Sequence, residues 1–147
     1  HIAAIARMVE GRGPRGDHSD CPRRAAFSGI ELVEPTTDNR PLLVGERTNV
    51  IGSRAFRDLV AAGDWEEAVE IARRQVRGGA QIIDVCLQTT EADEVAAVHE
   101  LYARLGGAVK VPLMIDSTDP EVMEVALEHA QGRSIINDSR IRPRESP

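Results

Sequence analysis

From residue 41 onward, short apolar runs alternate with longer segments that carry a helical repeat. The four apolar runs are "PLLVGE", "AQIIDV", "VKVPLMID" and "SIIN". Alternation of this kind predicts a parallel sheet whose strands are joined by helical crossovers. The runs are short and continuously apolar, as expected of strands that are buried on both faces. Two architectures fit this pattern: an open doubly wound sheet and part of a (β/α)₈ barrel.

Capping residues and glycines mark the limits of three predicted helices. The predicted starts are Asp64 with Glu67, Thr90 with Asp93, and Asp119 with Pro120 at the first helical position. An acidic or hydroxyl side chain at the N-cap satisfies the free N–H groups of the first turn. The predicted ends are Gly78-Gly79, Gly106-Gly107 and Gly132, since glycine commonly follows the last helical turn.

Polar side chains follow each apolar run with little or no gap. They are Glu46 and Asn49 after the first run, then Asp84, Asp116 and Asn137 after the others. In a barrel, binding groups lie at the carboxyl ends of the strands, so we expect these five side chains to surround one mouth. Carboxylates and amides suit a planar heterocycle that presents adjacent N–H and amino donors. The alternative is that each residue only caps a strand through hydrogen bonds to its loop.

Composition and missing motifs exclude several classes of protein. No run matches the glycine-rich dinucleotide or P-loop patterns. A formal net charge of −6 and 3% aromatic residues argue against nucleic-acid and anionic-membrane partners. No apolar run approaches the roughly 18 residues of a membrane span. We interpret Cys21 and Cys86 as free thiols of a cytoplasmic protein, and we predict no metal ligands in this chain.

The remaining segments have a different character. Residues 1–10 place apolar side chains on one helical face, whereas residues 11–24 are rich in Gly, Pro and Arg and have no period. Residues 27–34 fit a short extended segment. Residues 138–147 contain two prolines and three arginines and predict an irregular tail.

Four motifs give the chain a family resemblance. "GERTNVIGS", "GGAQIIDV", "VPLMIDSTDPEV" and "QGRSIIN" occur in this order between residues 41 and 137. Together they resemble the pterin-binding domains of the cobalamin-dependent methionine synthase family, whose superfamily includes dihydropteroate synthase. The resemblance implies an α/β fold, namely a partial (β/α)₈ TIM barrel of about four βα units. Residues 41–137 would then form the N-terminal half of the pterin-binding domain. Residues 1–10 resemble the last helix of a preceding homocysteine-binding domain, which makes residues 11–40 a linker.

The resemblance also implies a function and a site. The domain would bind 5-methyltetrahydrofolate, the methyl donor, whose methyl group passes to cob(I)alamin and then to homocysteine. Asp116 would hold the amino-pyrimidine edge of the pterin, Asn137 would contact the ring, and Glu46 would line the same pocket. Asp84 and Asn49 match positions that are polar across the superfamily. The cobalamin and zinc of the parent methyltransferase would be bound by its cobalamin- and homocysteine-binding domains, not by this chain. No residue is assigned a catalytic role.

Two alternatives stay open. A dihydropteroate synthase-like pterin transferase would resemble "NxTPDSFxDGG" after the first strand, where this chain has "NVIGSRAFRDL". A truncated half-barrel without activity would leave two open strand edges. We expect the 147-residue chain by itself to be inactive in methyl transfer, because a complete barrel needs eight strands and about 250 residues.

Overall fold

The computed structural model describes residues 25–89 and 93–138, and Arg7, Glu10 and Gly11 besides. The strands are β1 (Phe27–Ser28), β2 (Leu32–Val33), β3 (Val44–Asn49), β4 (Ile82–Cys86), β5 (Leu113–Asp116) and β6 (Ile135–Asn137). The helices are α1 (Arg54–Ala62), α2 (Trp65–Arg77), α3 (Glu94–Ala108) and α4 (Pro120–His129). The predicted N-terminal helix and tail, and most of the segment before residue 25, lie outside the described residues.

The four later strands form one parallel sheet in the order β3-β4-β5-β6. Each strand therefore pairs with the next along the chain, and helices connect them. In a doubly wound sheet the strand order reverses at one point, and helices cover both faces. In a barrel the strands follow one another in chain order, and all the helices lie on the outer face. The described part of the chain has three consecutive βα units followed by a fourth parallel strand, which is a partial barrel as predicted.

Acidic N-caps begin three of the helices: the predicted starts at Asp64 and Asp119 are confirmed, and the N-cap of α3 is Asp93 of the predicted Thr90 and Asp93 pair, with Thr90 outside the described residues. Asp64 accepts a hydrogen bond from Glu67 N at 3.3 Å, and Asp93 accepts one from Ala96 N at 3.1 Å. Asp119 does the same for α4, with Pro120 at its first position. These caps offset the free N–H groups of the first turn and stabilise each helix by about 1 kcal/mol.

Two features of the helices differ from the prediction. Helix α1 was not predicted from the sequence. Its N-cap is Ser53, and its buried residues are Phe56 and Val60. The end predicted for α3 at Gly106 is wrong, because the helix continues to Ala108. The Gln131 side chain explains a glycine inside this helix: its Nε2 donates to the Gly106 carbonyl at 2.5 Å, and it would lie 2.8 Å from a Cβ there.

Alternate residues of the central strands face opposite sides of the sheet. Ile83, Val85 and Ile115 belong to one core cluster with residues of α2, α3 and α4. The intervening residues of β4 face the other side, and they include the buried Asp84 and Cys86. This alternation places polar and apolar side chains on separate faces.

The hairpin of β1 and β2 contacts the chain just before β5 and β6. Ser28 N donates to Arg133 O at 3.0 Å, Arg133 N donates to Ser28 Oγ at 2.9 Å, and Glu31 N donates to Lys110 O at 3.0 Å. The extended segment predicted at residues 27–34 is confirmed by these strands. The assignment of residues 11–40 as an interdomain linker stays a prediction.

Within the described residues, no helix has both the length and the apolar character needed to cross a bilayer.

Candidate functional site at the carboxyl ends of the strands

A β-bulge in β3 determines which of its polar side chains enter the site. Gly45 pairs with Ile83 and Thr48 pairs with Val85, so Glu46 and Arg47 together lie opposite the single residue Asp84. The extra residue shifts the alternation of side chains by one position. Thr48 consequently faces the helices, and Asn49, which pairs with Cys86, faces the same side as Asp84. The strand was predicted at residues 41–46, "PLLVGE"; instead it begins at Val44 and continues to Asn49.

Gln75 of α2 and the buried Thr48 hold the bulge in place. The Gln75 carboxamide oxygen accepts from Arg47 N at 2.6 Å, and its Nε2 donates to Thr48 Oγ1 at 3.4 Å. Thr48 Oγ1 in turn donates to the backbone oxygen of Asp84. Gly45 leaves room for this arrangement, since a Cβ there would lie 2.8 Å from Gln75 Oε1. The helix layer therefore specifies the shape of the strand end.

Asn49 connects the carboxyl groups of two neighbouring strands. Its Nδ2 lies 3.2 Å from Asp84 Oδ2 and 3.3 Å from Asp116 Oδ2. Its Oδ1 accepts hydrogen bonds from Ile51 N at 2.9 Å and Gly52 N at 3.1 Å. Because two backbone donors occupy the oxygen, the amide can only direct its nitrogen toward the carboxyl groups.

Asp84 is the most deeply placed acidic group of the site. The residue is 4% exposed, and Oδ1 has no hydrogen-bond partner among the described residues. Burial is the main cause that raises the pKa of Asp84, and the negative charges of Asp116 and Glu46 raise it further. The amides of Asn49 and Asn137 act in the opposite direction and lower it.

The structure places the five predicted site residues together at one end of the sheet. Asp116 and Asn137 are register partners, and each is the last residue of its strand. Asn49 is likewise the last residue of β3, whereas Glu46 and Asp84 are each the third residue of their strands. Exposure differs within the group, because Asp84 is buried, Asn49 and Asp116 are half-buried, and Glu46 and Asn137 are exposed. Their role in binding a ligand stays a prediction.

The loop after β5 contributes contacts that the sequence analysis did not predict. Ser117 is buried, and its hydroxyl donates to Glu94 Oε1 at 3.0 Å and accepts from Asp119 N at 3.2 Å. Burial raises the pKa of Glu94, and the charges of Asp119 and Asp116 raise it further, although the Ser117 hydroxyl lowers it. The hydroxyl that directly follows Asp116 was the available signal for this contact.

Cys86 lies on the same strand face as Asp84 but is not a candidate nucleophile. Its side chain is buried and free of disulfide bonds. Burial, with smaller contributions from neighbouring acidic groups, raises the pKa of the thiol to about 12. A thiol in this state supplies almost no thiolate at neutral pH. Cys21 lies outside the described residues.

The side chains of this site are suited to binding rather than to metal coordination. Carboxyl and amide groups offer several acceptors and a few donors around a common centre. Within residues 25–89 and 93–138, no three His, Cys, Asp or Glu side chains are grouped in a way that could hold a metal ion. The residues described here therefore do not fit a zinc site.

Comparison with known proteins is consistent with this geometry. Residues 45–146 match the family described as "Pterin binding enzyme". The chain is 34% identical over 145 residues to a protein named methionine synthase from Mycobacterium leprae, a match that covers 99% of this chain and 12% of the relative. It is 37% identical over 110 residues to a methionine synthase from Mycobacterium tuberculosis, which covers 75% of this chain and 9% of the relative. The chain thus spans about a tenth of the length of these relatives. Since the family match covers residues 45–146, more than half of the chain, the chain belongs to the pterin-binding enzyme family.

Proposed function

We propose that this chain forms part of the folate-binding barrel of a methionine synthase and binds 5-methyltetrahydrofolate through its pterin ring. Membership of the pterin-binding family and similarity to two proteins named methionine synthase support this proposal. The observation that carries it is the contact of Asn49 with both Asp84 and Asp116, beside the register partner Asn137. These groups provide the acceptors that a flat ring with N–H and amino donors requires.

Each side chain has a separate role in the proposed complex. Asp116 accepts paired hydrogen bonds from the amino-pyrimidine edge, because a carboxylate can bind two parallel donors. Asn137 contacts the ring from the next strand, and Glu46 lines the outer part of the pocket. Asn49 positions the carboxyl groups, since its amide is fixed by Ile51 N and Gly52 N.

The proposed reaction transfers the methyl group of the folate first to cobalamin and then to homocysteine. A tertiary amine is a poor leaving group, so the ring nitrogen must gain a proton or a strong hydrogen bond as its bond to the methyl group breaks. What the residues described here contribute is orientation of the ring and exclusion of alternative poses. We assign cobalamin, homocysteine and zinc to other domains of such a parent protein, which would be the partners of this chain.

A dihydropteroate synthase-like activity is the second candidate from the sequence. The segment after β3 lacks the "PDSF" element of that enzyme, and both relatives described above carry the name methionine synthase. We therefore favour methyltetrahydrofolate as the ligand.

The proposal is tested by measuring binding of 5-methyltetrahydrofolate to the 147-residue chain by titration calorimetry. The matched variants are Asp116→Asn and Glu124→Gln, the latter at an exposed position of α4. Loss of a hydrogen bond to a charged group costs roughly 1.5–3 kcal/mol, so Asp116→Asn should weaken binding by about ten- to a hundredfold. Glu124→Gln should leave the affinity unchanged. Absence of binding to the unaltered chain, or equal affinity in both variants, would contradict the proposal.

A further inference from the structure

Three acidic side chains share one small region at the strand ends. Asp84 and Asp116 each accept a hydrogen bond from the Asn49 amide, and Glu46 lies in the bulge opposite Asp84. The charged groups that act on Asp84 are Asp116 and Glu46, and both are acidic. Like charges at close range cannot all be ionised without a large free-energy cost, so one of the three carboxyl groups should carry a proton.

We infer that Asp84 occupies the site as a neutral carboxylic acid and acts as a positioning residue, which orients the Asn49 amide toward Asp116. The statement about Asp116 and the ligand rests on the proposed function. The charge state of Asp84 follows from the fold alone.

Burial decides which group holds the proton. Asp84 is 4% exposed, whereas Asp116 is half-buried and Glu46 is exposed. Water stabilises the ionised form, so the group with the least access to water is the one that stays neutral. The direction of the Asp84 pKa, raised mainly by burial, agrees with this assignment.

The hydrogen bonds place the proton on one oxygen. Asp84 Oδ2 accepts from Asn49, and Oδ1 is buried without a partner among the described residues. An unpartnered neutral hydroxyl costs far less than an unpartnered charged oxygen. The proton of the neutral acid therefore lies on Oδ1, and Oδ2 stays free to accept from Asn49.

The other titratable groups near Asp84 do not favour its ionised form. Cys86 lies two residues further along β4, and Glu94 and the buried Tyr102 lie on α3. Burial raises the pKa of all three, and the negative charge of Asp84 adds to the increase at Cys86 and Tyr102. Cys86 and Tyr102 are therefore uncharged at neutral pH, and neither supplies a positive charge that would stabilise an ionised Asp84.

The inference makes opposite predictions for two isosteric substitutions. In Asp84→Asn, an uncharged amide replaces an uncharged acid, and its oxygen can still accept from Asn49. The variant should fold and should weaken binding of 5-methyltetrahydrofolate less than Asp116→Asn does, because no charged interaction is lost. Asp116→Asn removes the ionised group and should weaken binding at least about tenfold.

Carbon-13 NMR of the aspartate carboxyl groups reads the charge state directly. The Asp84 resonance is identified by its disappearance in Asp84→Asn. We expect it to titrate with a midpoint above the ordinary range of aspartate, in the 147-residue chain without ligand. A midpoint in the ordinary range would overturn the inference, as would an Asp84→Asn variant that fails to fold or that loses as much affinity as Asp116→Asn. If the unaltered chain binds no folate, the proposed function fails, and the titration alone then decides the charge state of Asp84.

Discussion

Asn49 Nδ2 lies 3.2 Å from Asp84 Oδ2, although the two residues are 35 positions apart in the sequence. The same nitrogen lies 3.3 Å from Asp116 Oδ2 on the next strand. One amide of β3 therefore organises the acidic groups of β4 and β5. The bulge at Glu46 and Arg47 makes this possible, because it turns Asn49 toward the face on which Asp84 lies.

Asn49→Ala should destabilise the protein and weaken pterin binding. The substitution removes the donor to two carboxyl groups and leaves the N–H groups of Ile51 and Gly52 without their acceptor. We expect a loss of about 1–3 kcal/mol in the free energy of unfolding, measured with urea. As a control, Asn39→Ala removes a turn amide that bonds Thr36 N and Glu34 O, and it should leave pterin affinity unchanged. Equal pterin affinity in both variants would refute the role of Asn49.

The pH dependence of stability should differ between the unaltered chain and Asp84→Asn. The pKa of Asp84 is raised in the folded protein above its ordinary value of 3.8. Below 3.8 the group is protonated in both states, and above it the folded state resists ionisation. The stability that Asp84 contributes is therefore full at low pH and falls as the pH rises through the window between the unfolded and folded pKa values.

Urea unfolding at a series of pH values measures this effect. The free energy of unfolding of the unaltered chain minus that of Asp84→Asn should fall as the pH rises above 3.8, so that the unaltered chain loses stability relative to the variant. Most other groups contribute equally to both proteins, so the signed difference isolates Asp84. A signed difference that stays constant, or that rises with pH, would show that Asp84 is not held in its neutral form.

Two glycines should be essential where the hairpin meets the ends of the sheet. A Cβ at Gly29 would lie 2.5 Å from the carbonyl oxygens of Lys110 and Val111, and one at Gly132 would lie 2.5 Å from Ser28 O. Alanine at either position should lower the melting temperature, because backbone atoms must move to avoid the overlap. Gly107→Ala is the control, since a Cβ there meets nothing within 4 Å. That control should be neutral or stabilising by about 0.5–1 kcal/mol, as expected for alanine in a helix.

Cys86 should react slowly with alkylating reagents in the folded protein. Its side chain is 1% exposed, and burial raises the pKa of the thiol to about 12. Mass spectrometry of the peptide that contains Cys86 should show little modification by iodoacetamide under native conditions and full modification in denaturant. Rapid native labelling would mean that this end of β4 opens to solvent.

Methyl transfer by the 147-residue chain with methyltetrahydrofolate and free cob(I)alamin should be undetectable. The parallel sheet of the described residues has four strands, and the groups around Asn49 surround only part of a ring. A reactive geometry must be held within about 0.5 Å, which an open scaffold does not achieve. Turnover comparable to that of an intact pterin-binding barrel would contradict this expectation.

The sequence alone predicted the repeating architecture and the residues at the strand ends. Helix caps act within three residues, so Asp64, Asp93 and Asp119 could be recognised from their local neighbours. The carboxyl ends of parallel strands lie on one edge of a sheet, so the proximity of Asp116 and Asn137 also followed from the pattern.

Which side chains of β3 face the site could not be predicted from the residues of the strand itself. Strict alternation from Val44 would direct Asn49 away from the face of Asp84, and only the bulge reverses this. Gln75 and Asp84 O hold the bulge through hydrogen bonds to Arg47 N and Thr48 Oγ1. These partners are 27 to 36 positions away, so the conformation depends on contacts that form only when α2 packs on the sheet.

The charge states of the acidic side chains in the site also could not be predicted from the sequence. The sequence determines that Asp84, Asp116 and Glu46 are acidic and that each belongs to a strand end. Which of them resists ionisation depends on access to water and on the distance to other charges. The tertiary structure alone decides this, because it buries Asp84 and leaves Asp116 and Glu46 partly in solvent.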